Sequence, residues 1–172
     1  MTARTSIETR EPLVLGPDEG QAFWFNNDLL TFKATGAQTH GAYLLVEETA
    51  REGKVTPLHT HPAETETFYV LEGRAVFHLD GEDRSLRVGG FASVPPGVPH
   101  AYLVTSELAR LLVLVTPGDG PMERFFREAG EPAREAGLPE PAPLDIERIA
   151  AAAELTGAVK ILGPPPFGEP GP

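Results

Sequence analysis

HTHPAETETFYVLEG, residues 59–73, sets two histidines around one threonine, then two glutamates, then an apolar run closed by glycine. Residues two apart point to nearly opposite sides of a helix but leave the same face of a strand. The run TFYVL is β-branched and aromatic, which favours a strand. His59 and His61 are therefore expected to leave one strand face together, as a pair of nitrogen ligands. Glu66 opens the next strand, and parity puts Phe68 and Val70 on its face. A carboxylate among such neighbours is tolerated only with a partner, because burying an unpaired charge is costly. His100 begins HAYLV directly after the turn PPGVP (95–99) and can supply a fourth donor.

Composition limits what such a site could serve. The 172 residues suffice for one domain with a proper core. Fourteen basic residues against 25 acidic ones give a net charge of −11. That surface repels a phosphate backbone, and no Lys/Arg cluster offers a local exception, so nucleic acid is not expected as a partner. Cysteine is absent, which excludes disulfides and thiolate metal sites. The opening MTARTSIETREPL lacks the apolar centre of a secretion signal, and LLVLV (111–115) is too short to cross a bilayer. A cytoplasmic protein with no membrane partner is expected.

Outward from the histidines the chain reads as many short strands. Eighteen glycines and 18 prolines punctuate pieces such as LLTFKA, AYLLVEE, AVFHL and LLVLV. LEGR around Gly73 and LDGED around Gly81 read as hairpins, and PPGVP as a turn centred on Pro96 and Gly97. Strands at this spacing imply a sandwich or barrel. After Pro117 the pattern becomes helical over 121–129 and 145–156, with Asp145 as N-cap and Gly157 as stop. EPAREAG (131–137) allows a third short helix. The closing GPPPFGEPGP is expected to form no regular structure. Phe23, Trp24 and Phe25 are expected between sheets or at a subunit contact.

The spacings carry a family resemblance. Gly53, five residues, His59-x-His61, four residues, Glu66, six residues and Gly73 resemble the first cupin motif. Gly89, five residues, Pro95-x-Gly97, two residues and His100 resemble the second, except that Val104 stands where that motif usually ends in Asn. This resemblance implies an all-β fold, a cupin jelly-roll barrel with short C-terminal helices. It divides the chain into N-terminal strands flanking the barrel (1–35), the barrel (36–118), C-terminal helices (119–160) and a Pro/Gly-rich tail (161–172). It also implies a divalent transition metal (Fe, Mn, Ni, Co, Cu or Zn) on His59, His61, Glu66 and His100.

The segment 116–141, with ETFYVLEG and HAYLV, is similar to single-domain bacterial quercetin dioxygenases. That likeness implies a flavonol substrate and dioxygen, ring cleavage and release of carbon monoxide, with Glu66 as both ligand and catalytic base. Phe68, Val70 and Tyr102 would wall the pocket, and Phe125 and Phe126 would lie at the barrel mouth. A homodimer is implied, with 10–35 as its contact. Another cupin metalloenzyme (isomerase, decarboxylase or cyclase) and a non-enzymatic ligand-binding barrel are the alternatives. Glu64 reads as a solvated group or one behind the ligands. His40 and His78 fall outside both motifs and are expected in ordinary surface or hydrogen-bonded roles.

Overall fold

The structure, a computed structural model, describes residues 12–17 and 19–168. The expected N-terminal segment therefore lies outside the described residues at 1–11 and 18, and the expected tail at 169–172. The strands begin with β1 (Gln21–Phe25), β2 (Asp28–Ala34), β3 (Leu44–Arg51), β4 (Leu58–Thr60), β5 (Thr65–Glu72) and β6 (Arg74–Leu79). They continue with β7 (Glu82–Arg87), β8 (Phe91–Val94), β9 (His100–Val104) and β10 (Leu108–Thr116). Helix α1 (Met122–Ala129), β11 (Glu131–Pro132), helix α2 (Ile146–Thr156) and β12 (Lys160–Gly163) complete the order.

All pairings are antiparallel and fall into two sheets, β11-β1-β2-β3-β10-β5-β8 and β12-β4-β9-β6-β7. This is the jelly roll, built as two facing sheets that share no strand, so the barrel is not closed by hydrogen bonds among the described residues. Alternation makes the core. Leu30 and Phe32 on β2, Leu44 and Val46 on β3, Phe68 and Val70 on β5, and Leu111, Val113 and Val115 on β10 all turn inward. Each such side chain contributes about 1.5–3 kcal/mol by leaving water.

Glycine at the turns separates two cases that look alike in sequence. At LDGED the chain makes a β6–β7 hairpin, with Asp80 at φ 49° and Gly81 at φ 87°, the backbone of a type I′ turn. LEGR is not a hairpin: β5 and β6 belong to different sheets, and Gly73 turns the chain between them. At φ 74° a side chain there would collide with the Leu108 carbonyl. Two further expectations are corrected. EPAREAG forms no helix; Glu131 and Pro132 instead add β11 to the edge of β1. Residues 161–163 of the expected tail lie in β12, which pairs with β4 because Lys160 and Ile161 can offer backbone groups that the following prolines cannot.

The helices sit against one end of the jelly roll. On α1 the buried residues Met122, Phe125, Phe126 and Ala129 recur at helical spacing and form one apolar face. Phe25 meets Phe125 and Phe126 edge-on at 5.9 and 5.8 Å between centroids. In α2 the Asp145 carboxylate accepts from the Arg148 N–H at 3.0 Å, and Gly157 ends the helix at φ 67°. Trp24 donates from its indole to the Gly137 carbonyl at 2.9 Å, holding the segment after β11 across β1.

Candidate metal centre

Three elements converge on one point. His59 lies on β4, His61 just beyond it, Glu66 near the start of β5, and His100 opens β9. β4 and β9 pair, with His59 opposite His100. One donor atom from each of the four residues lies within 4.8 Å of the others, and all four residues are buried. His40 is exposed in a turn, and His78 bonds Asp83 at 2.6 Å; neither joins the cluster.

Each imidazole is oriented from behind. Nδ1 of His59 faces the Pro57 carbonyl at 2.8 Å, that of His61 the Ala158 carbonyl at 3.0 Å, and that of His100 the Val98 carbonyl at 3.0 Å. A carbonyl can only accept, so Nδ1 carries the hydrogen, and in the neutral ring Nε2 keeps its lone pair. Nε2 of His61 and of His100 stand 3.2 and 3.1 Å from Oε2 of Glu66. Lone pairs so placed repel a carboxylate oxygen unless a proton or a cation lies among them. Three imidazole nitrogens and one carboxylate oxygen suit a divalent first-row transition ion, so the residues fit such a group.

In the protein alone, protonation meets only part of this demand for positive charge. Burial, reinforced by the neighbouring rings of His100 and His61, lowers His59 to about 4. Burial also lowers His61, but the charge and hydrogen bond of Glu66 outweigh it, and the net shift is upward. For Glu66 burial acts upward, yet His61 and His100 hold the carboxyl well below the usual carboxylate range.

Glu64 is not solvated: it is 1% exposed and accepts the Met122 N–H at 3.0 Å through Oε1. A carboxylate from a distant loop thus serves the N-terminus of α1, where Pro121 offers no capping side chain. Gly120 makes this approach possible, since a side chain there would collide with Glu64 Oε1.

A cavity opens from the cluster. His59, His61 and Glu66 line it together with Phe25, Phe68, Phe125 and Phe126. Phe68 and Tyr102 stand on the wall, whereas Val70 is fully buried in the core and is not among the lining residues. A second polar group went unseen in the sequence. Glu48 lines the cavity and accepts hydrogen bonds at Oε1 from the Tyr102 hydroxyl and from Lys54 Nζ, the latter at 3.2 Å. Lys54 also pairs with Asp28. Burial raises Glu48 to about 7, with the Tyr102 hydrogen bond opposing and Glu66 adding to the shift. Burial pulls Lys54 down to about 7, against the attraction of the two carboxyls beside it. The signal was the adjacent pair Glu47–Glu48 in a strand, where alternation must turn one carboxylate inward.

Comparison with known proteins places this architecture. Residues 46–116 match the cupin domain. Over 139 residues, 80% of this chain, the sequence is 32% identical to a quercetin 2,3-dioxygenase of Bacillus subtilis, of which it covers 41%. The chain spans less than half the length of the curated relatives it matches. Among solved structures, a predicted oxalate decarboxylase from Thermotoga maritima superposes with a TM-score of 0.55 at 22% identity, over 59% of this chain and 96% of that one. An RmlC-like cupin from Shewanella frigidimarina gives 0.54 at 19% identity, over 63% and 93%. At these identities the two structures speak to the fold alone. Two motifs, a two-sheet jelly roll and the matching family model agree that residues 46–116 form a cupin domain.

Proposed function

We propose that the chain is a metal-dependent dioxygenase that opens the ring of a flavonol-type aromatic. The observation that carries this reading is a three-histidine, one-carboxylate cluster opening into a cavity with aromatic walls. The similarity to a quercetin 2,3-dioxygenase adds the substrate class. A bound divalent ion would supply Lewis acidity toward a substrate oxygen.

The protein's own residues have separable tasks in this reading. His59, His61 and His100 present Nε2, each held in that tautomer by a backbone carbonyl. Glu66 is ionised and stands among them, so its carboxylate can take the proton of a substrate hydroxyl. Phe68, Phe125 and Phe126 give the aromatic body a water-poor surface, and α1 closes that side of the cavity. Dioxygen contributes both its atoms to the opened product while one ring carbon leaves as carbon monoxide.

Aerobic loss of quercetin absorbance by protein stripped and reloaded with each candidate metal tests the reading, with Glu66→Gln as control. Metal-dependent loss that the variant abolishes is expected. Loss without oxygen uptake would instead favour a cupin metalloenzyme of another reaction type, and no loss with any metal overturns the flavonol assignment.

A further inference from the structure

Glu48 is the cavity carboxyl that the metal centre does not use. It stands on the inward face of β3 between Val46 and Ala50, both 0% exposed. Register locates it relative to the centre. Along β10, Glu48 is opposite Leu111 and Glu66 opposite Val115. Those levels are four residues apart, about 13 Å of strand. The two side chains line one cavity from different levels along β10.

The two oxygens of Glu48 are unlike. Oε1 is occupied by the Tyr102 hydroxyl and Lys54 Nζ, which fix the carboxyl in place. Oε2 takes no hydrogen bond among the described residues, and it is not sealed away as Glu64 Oε2 is. Since the residue is 5% exposed and lines the cavity, the space left to Oε2 is the cavity itself. Asn26, also on the cavity wall, has a buried Oδ1 without a partner. Both are acceptors in a wall that is otherwise largely apolar. A charged oxygen held rigidly and left unpaired in such a wall is suited to a donor brought by the ligand.

We propose that Glu48 Oε2 is a second recognition point, accepting a hydrogen bond from a hydroxyl at the end of the substrate remote from the metal centre. The inference rests on the reading above, that the substrate is a hydroxylated aromatic, and narrows it. The cavity selects a neutral aromatic bearing one hydroxyl for the His59–His61–Glu66–His100 centre and another at its far end. Aromatics whose far end carries a carboxylate are rejected, because Glu48 would repel them. Lys54 and Tyr102 are positioning residues that hold the carboxyl.

The test is binding without oxygen at pH 8, by titration calorimetry, of quercetin and of 3-hydroxyflavone, which lacks the remote hydroxyls. Metal-loaded wild type is expected to prefer quercetin at least about tenfold, the size of a hydrogen bond to a charged group. In Glu48→Met the preference falls to near unity, and in Glu48→Gln it is intermediate, with metal content unchanged in both. Where Glu48→Met fails to fold, Glu48→Gln carries the comparison. Equal preference in wild type and Glu48→Gln overturns the proposal. If neither flavonol binds, the flavonol reading fails, and phenol against toluene decides the role of Glu48. A phenol preference in wild type that is lost on replacing Glu48 supports that role, and no preference ends it.

Discussion

His59 and His100 are direct cross-strand partners, their rings 4.2 Å apart between centroids, and each Nδ1 is fixed by the carbonyl two residues before it. One strand pairing therefore sets two donors at once, a preformed half of the candidate metal site on the five-stranded sheet. Glu66 arrives from the other sheet, so occupancy ties the two layers together.

Replacing His100 by Ala is expected to reduce metal retained after dialysis from about one ion per chain to less than about a tenth, since a lost ligand exceeds the 10–100-fold effect of lost supporting groups. Elemental analysis of the purified variant checks this. Wild-type stoichiometry in His100→Ala would remove it from the ligand set.

Stripped protein should gain stability on reloading. With free metal at 100 times its dissociation constant the gain is about 2.7 kcal/mol, which is about 5–10 °C for a chain of this size. Thermal unfolding with and without metal reads it, and Glu66→Gln should shorten the shift.

Glu48 makes stability depend on pH in a defined direction. Its carboxyl is raised from 4.5 to about 7 in the folded protein, so the folded state holds a proton that the unfolded chain has lost between those values. The contribution is fully present below pH 4.5 and is lost as pH rises through about 7, on the order of 3 kcal/mol in all. Urea unfolding of metal-free protein at pH 5 and pH 7.5 should show wild type losing more than Glu48→Gln. Parallel losses would show that Glu48 does not titrate in this range.

Gly120→Ala should cost about 2 kcal/mol, because the new methyl displaces Glu64 from the first N–H of α1. Circular dichroism melts measure the loss. An unchanged midpoint would mean that the 64–122 contact adds nothing to stability.

Phe125→Leu with Phe126→Leu thins the wall that α1 gives the cavity while keeping its apolar character. Flavonol affinity is expected to fall about tenfold, the scale of burying one less ring face, with metal content unaltered. Unchanged binding and turnover would exclude α1 from the site.

Side-chain parity was the most legible signal. It put Glu66 with Phe68 on the inward face of β5, because strand period is a local property of the chain, and it foresaw that His59 and His61 meet, although β4 ends at Thr60 and His61 lies just beyond it. Depth was not legible. Val70 shares the Phe68 face yet packs in the core, since which inward residues meet a cavity depends on what the facing sheet and helices leave empty. Gly73 shows the same limit at a turn: a positive φ was foreseeable, but whether the next strand stays in the sheet depends on partners far along the chain. The solvated reading of Glu64 failed because its partner, the Met122 N–H, lies 58 residues away. Lys54 and Asp28 escaped notice for a related reason, being charges whose burial makes sense only once each is seen beside the other.

The carbonyl that orients His61 belongs to Ala158, 97 residues further along. A nascent chain that had emerged through β10 would carry all four ligands and the strands that bear them, but His61 could still rotate. Fixing that ring awaits synthesis of the segment joining α2 to β12, so the candidate metal site is complete only after the C-terminal helix and strand have assembled.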